Sequence, residues 1–356
     1  MSGISANLTK ETILRKTGNI SQLAGIRPCV LREGRKEGLG AFEVVTGGGL
    51  EFTVLEGRCL DILSAKYKGI NLSFISKPGL VSPQYFNPYG GEQVRTTQAG
   101  MMFTCGLSNV GSACSENDLE FCAHGRIGHT PAEKVCTSEE WKNGEYHMEI
   151  SGMMRESAIM CENLVLKRKI HTVLGAKSLK ISDEVENQGF QDQPIMILYH
   201  FNFGYPLLDK DAEVFVPSLE VTPRDSAAKK GVAFWQQISP PIDGYSEQVF
   251  YHKSACDDNG FTYAGVMNKK RMLGAYIKYR KAELSQLIQW KSMAPGDYAL
   301  GLEPSNCLVE GRVKERERGK LFSLPPLQSV SFSVELIVLD GDEEMGEFER
   351  FLKTLG

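Results

Sequence analysis

A chain of 356 residues with 42% hydrophobic and 24% charged residues is ordinary globular material, enough for one large β domain or two smaller ones. A net charge of -4 with no long basic stripe argues against a nucleic-acid partner, and no uninterrupted apolar run approaches the ~18 residues of a membrane span. Met1 to Lys10 lacks the apolar core of a signal peptide, and nine cysteines scattered without a Cys-x-x-Cys pair suit reduced thiols, so the expected location is cytoplasmic.

In chain order, Thr9 to Arg15 and Asn19 to Leu23 read as short helices stopped by Gly18 and Gly25, a helical cap over residues 1–25. From Ile26 the pattern becomes strand-like. Pro28 to Leu31 and Ala41 to Val45 flank a charged turn as a hairpin. Gly47-Gly48-Gly49 makes a second turn, Leu50 to Leu55 is a strand, and Cys59 to Leu63 is expected to continue it beyond Gly57. Tyr146 to Met153, Leu164 to His171, Ser178 to Glu186 and Pro194 to Phe203 are the clearest later strands. Val214 to Pro217, Val249 to Lys253, Thr262 to Asn268, Leu273 to Tyr279, Leu287 to Lys291 and Val330 to Leu339 follow. Short strands between glycine turns predict a sandwich or barrel rather than a βαβ fold.

Helical periodicity returns only over residues 343–355, where Met345, Phe348, Phe351, Leu352 and Leu355 share a face, as in a helix packed outside the sheets. The mixed charge runs Arg32 to Lys36 and Arg312 to Lys320 read as solvated turns. Pro78 to Gly100 has many turn residues but also tyrosines and Phe86, which predicts a lid or rim over a site. No repeat or linker divides the chain, so residues 1–356 are read as one domain.

Four stretches could carry chemistry. In Tyr199-His200-Phe201-Asn202-Phe203-Gly204-Tyr205-Pro206, strand alternation puts three aromatics on one face and His200 with Asn202 on the other. An imidazole beside an amide suits a polyhydroxylated ligand, although a histidine bonded within a β core fits equally. In His124-Gly125-Arg126-Ile127-Gly128, extended backbone would aim His124 and Arg126 the same way, with glycines permitting close approach. Glu303, before Pro304 in an apolar setting, would have a raised pKa if partly buried, or would be an exposed strand-end carboxylate. Arg58 and Asp61 could hold a ligand or simply pair with each other. Phosphate-loop, nucleophile-elbow and dinucleotide motifs are missing, and Cys122, His124 and His129 match no standard zinc spacing, so neither cofactor nor metal is expected.

Together these stretches resemble the aldose 1-epimerase-like proteins of the galactose mutarotase-like superfamily, in their poorly characterised bacterial branch. Gly57-Arg58-Cys59-Leu60-Asp61-Ile62, Gln289-Trp290-Lys291 and Gly301-Leu302-Glu303-Pro304 extend the resemblance from about Gln22 to Leu339. It implies an all-β fold, a β-supersandwich of two large antiparallel sheets with a sugar cleft on one. It further implies His200 as general acid on the ring oxygen, Glu303 as base on the anomeric hydroxyl, and His124 as a holder of sugar oxygens. Arg126, Arg58, Asp61 and Asn202 would grip hydroxyls, and Trp290 or one of the loop tyrosines would stack on a sugar face. A histidine donor at neutral pH would be held partly charged by Glu303. For the family's substrate-holding aspartate, Asp243 and Glu247 are the candidates. The expected partner is a monosaccharide or sugar derivative, and exposed edge strands leave a homodimer open. Two other functions fit the same cleft: a non-catalytic sugar-binding sensor, and an isomerase or epimerase acting at another carbon.

Overall fold

The computed structural model describes residues 9–355. Its strands form an eleven-stranded and an eight-stranded antiparallel sheet, with two small two-stranded ones beside them. Alternation along most strands gives both sheets an apolar face, and these faces meet in one core. Phe52, Ile62, Phe201 and Leu302 come from the larger sheet, and Ile150, Leu166, Ile181 and Val334 from the smaller. The arrangement is the β-supersandwich expected from the sequence.

The strands named from the sequence are present with slightly shifted ends, such as Glu145–Ser157, Asn163–Val173 and Ser178–Asn187. Met102–Leu107, Glu133–Lys142 and Ser218–Pro223 were not anticipated. Their side chains lack a simple alternation, with Met102–Leu107 buried throughout and Glu133–Lys142 largely exposed. Two expectations fail. Cys59 to Leu63 does not continue the preceding strand: Cys59 and Leu60 take left-handed φ of 54° and 51°, and the chain reverses into the antiparallel strand Asp61–Tyr67. Arg312 to Lys320 is no simple turn, because Arg312–Glu317 is helical with Arg312 and Glu315 buried.

Near the N-terminus the described helical turns are Lys10–Leu14 and Ile20–Gln22, capped by Thr9 and Asn19. Residues 1–8 of the expected cap lie outside the described residues. At the other end, the helix Asp342–Lys353 lays Met345, Phe348 and Leu352 on the outer face of the eight-stranded sheet, where Phe348 stacks on Tyr276 at 4.1 Å between ring centres. The larger sheet keeps its outer face for a cleft.

Candidate functional site

The cleft is built on three adjacent strands of the larger sheet: Met196–Phe203, Asp297–Ser305 and Gln286–Ala294. In the first, Tyr199, Phe201 and Phe203 are wholly buried in the core, which leaves His200 and Asn202 on the cleft face. Asn202 pairs with Gly301 on the second strand, and Gly301 with Trp290 on the third. The period of two then brings Glu303 beside His200, with His200 Nε2 3.1 Å from Glu303 Oε1.

Gly301 is the floor under this pair. A Cβ there would stand 2.6 Å from Glu303 Oε1 and 2.9 Å from His200 Cε1. Above the floor is a space of about 420 Å³, bounded among others by His124, His200, Asn202, Trp290 and Glu303, within the size range of small-molecule sites.

Burial dominates the electrostatics. It pushes the Glu303 carboxyl well above the usual carboxylate range; Glu247 adds to the shift and Arg224 opposes it. Burial, then His124, pulls His200 down to about 3, and burial takes His124 down to about 4. Both shifts in the His200–Glu303 pair favour imidazole beside carboxylic acid over an ion pair, although the two atoms lie within ion-pairing distance. The expectation of a histidine kept partly charged by Glu303 is thereby corrected: desolvation of both groups outweighs their attraction. Beyond its contact with His200 Nε2, Glu303 Oε1 has no hydrogen-bond partner among the described residues, and His200 Nδ1 and His124 Nδ1 are buried with none. Orphaned buried polar atoms are costly unless something completes them.

The other named residues divide. Trp290 flanks the cleft edge-on to His200, 5.9 Å between ring centres, and donates from Nε1 to Glu247 Oε2 at 2.8 Å. Asn202 lies in the cleft wall, but both its amide donors are used, by the carbonyls of Gly100 and His200. Of the two acidic candidates, Glu247 borders the cleft, whereas Asp243 is exposed and does not.

Arg58, Asp61 and Arg126 are not at the cleft. Arg58 is fully buried and donates to the carbonyls of Val81 and Thr96 at 2.7 and 2.9 Å, and its Nη2 meets His129 Nδ1 at 2.8 Å. Asp61 is equally buried and accepts from Arg168 Nη1 and the Thr104 hydroxyl. It does not pair with Arg58 either; the left-handed turn at Cys59 and Leu60 separates them. Arg126 fails because the backbone is not extended. His124 and Gly125 have φ of 59° and 72°, which turns Arg126 into a separate depression beside Tyr89 and Phe121. Gly125 does permit close approach, since a Cβ there would lie 2.1 Å from the Gly106 carbonyl oxygen.

Arg224 and Asp297, also at the cleft, were missed. Both lie at or beyond strand ends, where no periodic signal marks direction. Arg224 reaches Asp225 and Glu247, and Asp297 reaches Lys77 at 2.5 Å. His129 is stacked on Phe86 and bonded to Arg58, and among the described residues no group of three or more His, Cys, Asp or Glu is placed to hold a metal. All nine cysteines are free thiols, and no described helix is long and apolar enough to cross a membrane.

A family model described as Domain of unknown function (DUF4432) matches residues 36–338. No curated protein sequence matches. Among solved structures, a "putative aldose 1-epimerase" from Klebsiella pneumoniae subsp. pneumoniae MGH 78578 superposes with a TM-score of 0.88 at 26% identity, over 93% of this chain and 87% of that one. A galactose mutarotase-like protein from Clostridium acetobutylicum gives 0.62 at 15% identity, over 90% and 99%. The galactose 1-epimerase of Lactobacillus acidophilus NCFM gives 0.57 at 12%, over 89% and 99%. The last two similarities show the fold.

Proposed function

From the premise that this chain belongs to the DUF4432 family and has the galactose mutarotase-like fold, we propose that it is an aldose 1-epimerase-like enzyme, interconverting the anomers of a monosaccharide or sugar derivative. The observation that carries the reading is the His200–Glu303 pair, 3.1 Å apart at the base of a cleft. A general acid and a general base that close can act on the ring oxygen and the anomeric hydroxyl of one sugar.

The chemistry is a proton exchange. The uncharged pair keeps its mobile proton on Glu303. Moving that proton to His200 gives imidazolium and carboxylate, with no change in total charge. Glu303 then takes the proton from O1–H while His200 donates to the ring oxygen, and the C1–O5 bond opens to the aldehyde. Rotation about C1–C2 and closure with roles reversed deliver the other anomer. His124 and Glu247 hold hydroxyls, and Trp290 covers one side of the ring.

The test is exchange NMR between α and β anomers over a panel of neutral and acidic aldoses. His200→Ala and Glu303→Gln are each expected to lower the rate by about 10²-fold or more while circular dichroism shows the fold retained. Full activity in either variant overturns the assignment. A second reading, sugar binding without turnover, is favoured by the uncharged resting pair. It predicts sugar affinity with no acceleration for any aldose. Solvent deuterium at C2 of recovered sugar would instead indicate chemistry at another carbon.

A further inference from the structure

The cleft does not end at the His200–Glu303 chamber. A second space of about 330 Å³ opens from it, and Phe103, Ala123 and His124 are among the residues bounding both. Each space by itself falls in the range a small ligand fills. The second one is walled by Lys77 and Pro78 and by the helical turn Glu92–Arg95, which contributes Gln93 and Val94.

We propose that the two chambers are adjoining subsites for one neutral, reducing disaccharide, its reducing ring over His200 and Glu303 and its second glycosyl ring between Lys77, Gln93 and Val94. The assignment of the reducing end rests on the anomerase reading. The second subsite rests on the shape and chemistry of the second chamber.

Three observations define the ligand class. The first is polarity. Gln93 borders the second chamber and His124 its junction with the first, and Gln93 Oε1 and His124 Nδ1 have no hydrogen-bond partners among the described residues. They suit hydroxyl groups on both sides of a glycosidic link. The second is apolarity. Val94 and Pro78 give the second chamber aliphatic wall, which suits the C–H face of a pyranose. Val94 is 63% exposed, a large apolar side chain at the surface of a polar turn. The third is charge. Lys77 is already paired with Asp297, and Arg224 with Asp225 and Glu247. These are the cations that reach the two chambers, and each has its charge matched. A phosphate or sulfonate would have to displace a carboxylate from them, whereas a neutral glycosyl group can accept and donate alongside the existing pairs.

The test is titration calorimetry of the whole chain with cellobiose, maltose, lactose and mannobiose, each compared with the monosaccharide at its reducing end. Binding heats do not depend on turnover, so this test is separate from exchange NMR. At least one disaccharide is expected to bind about tenfold or more tighter than its monosaccharide. Val94→Trp, which fills the second chamber from an exposed position, should erase that advantage. Monosaccharide binding with no gain for any disaccharide overturns the second subsite and leaves the first chamber's reading intact. A gain that survives Val94→Trp overturns its placement. A gain without accelerated anomer exchange retains the second subsite and rejects the catalytic reading. Absence of binding by every sugar rejects both.

Discussion

At the scale of single residues, the site depends on what is missing from one position. Gly301 lies between Asn202 and Trp290 in the sheet, and any side chain there would enter the space that Glu303 and His200 share. Strand interiors normally disfavour glycine, so its presence marks close approach. Gly301→Ala is expected to push the Glu303 carboxyl aside and lower anomer exchange by about 10²-fold, the usual cost of an ångström-scale misplacement, without changing the thermal midpoint appreciably. Unaltered exchange in that variant would mean that the pair's spacing does not matter. His200 and Asn202 were legible because alternation places neighbours two apart on one face. Arg58 and Asp61 were misread because an arginine and an aspartate close in sequence look the same whether they bind a ligand or the protein's own backbone.

At the scale of elements, the segment Pro78 to Gly100 carries the rim that its composition suggested, but its hold on the sheet was not readable. Thr97 and Ala99 line the cleft, and Val94 lines the second chamber. The segment has no strand of its own and is fastened by arginines: Arg58 holds the Val81 and Thr96 carbonyls, and Arg35 holds those of Pro78 and Arg95. Arg58→Met should strand two buried carbonyls, at about 1–3 kcal/mol each. The expected results are faster proteolysis within residues 80–96, weaker sugar binding and a lower urea midpoint. A variant with wild-type cleavage and affinity would show that the rim is held elsewhere. Glu133–Lys142 is an edge strand of the smaller sheet, and its Glu133, Lys134, Glu139, Glu140 and Lys142 are exposed. Charges of this kind oppose pairing of two such edges.

At the scale of the molecule, the two sheets are joined by polar bonds as well as by the apolar core. Arg168 of the smaller sheet makes a two-pronged contact with Asp183 and also reaches Asp61, Thr104 and the Cys59 carbonyl of the facing layer. The Tyr199 hydroxyl donates to Asp183 at 2.7 Å, directly behind the strand that carries His200. Arg168→Met would leave two buried carboxyl groups without their cation and is expected to cost about 3–5 kcal/mol, measured as a shift in the urea unfolding curve. A loss under about 1 kcal/mol would show that the network has no more weight than a surface ion pair.

Backbone stereochemistry alone made part of this protein readable. Alternation marks many strands, a 3.6-residue period marks the terminal helix, and the spacing of His200 and Asn202 puts them side by side, since each depends only on neighbours along the chain. Tertiary structure decided the rest. It turned Arg58 and Asp61 inward and bent the chain at His124 so that Arg126 left the cleft. It brought Glu303 and Glu247 to His200 and Trp290, and it removed water from Glu303 and from most of His200, which favours their neutral forms. Those outcomes depend on which distant strands pair and on how much water each group loses, and no local pattern of residues encodes either.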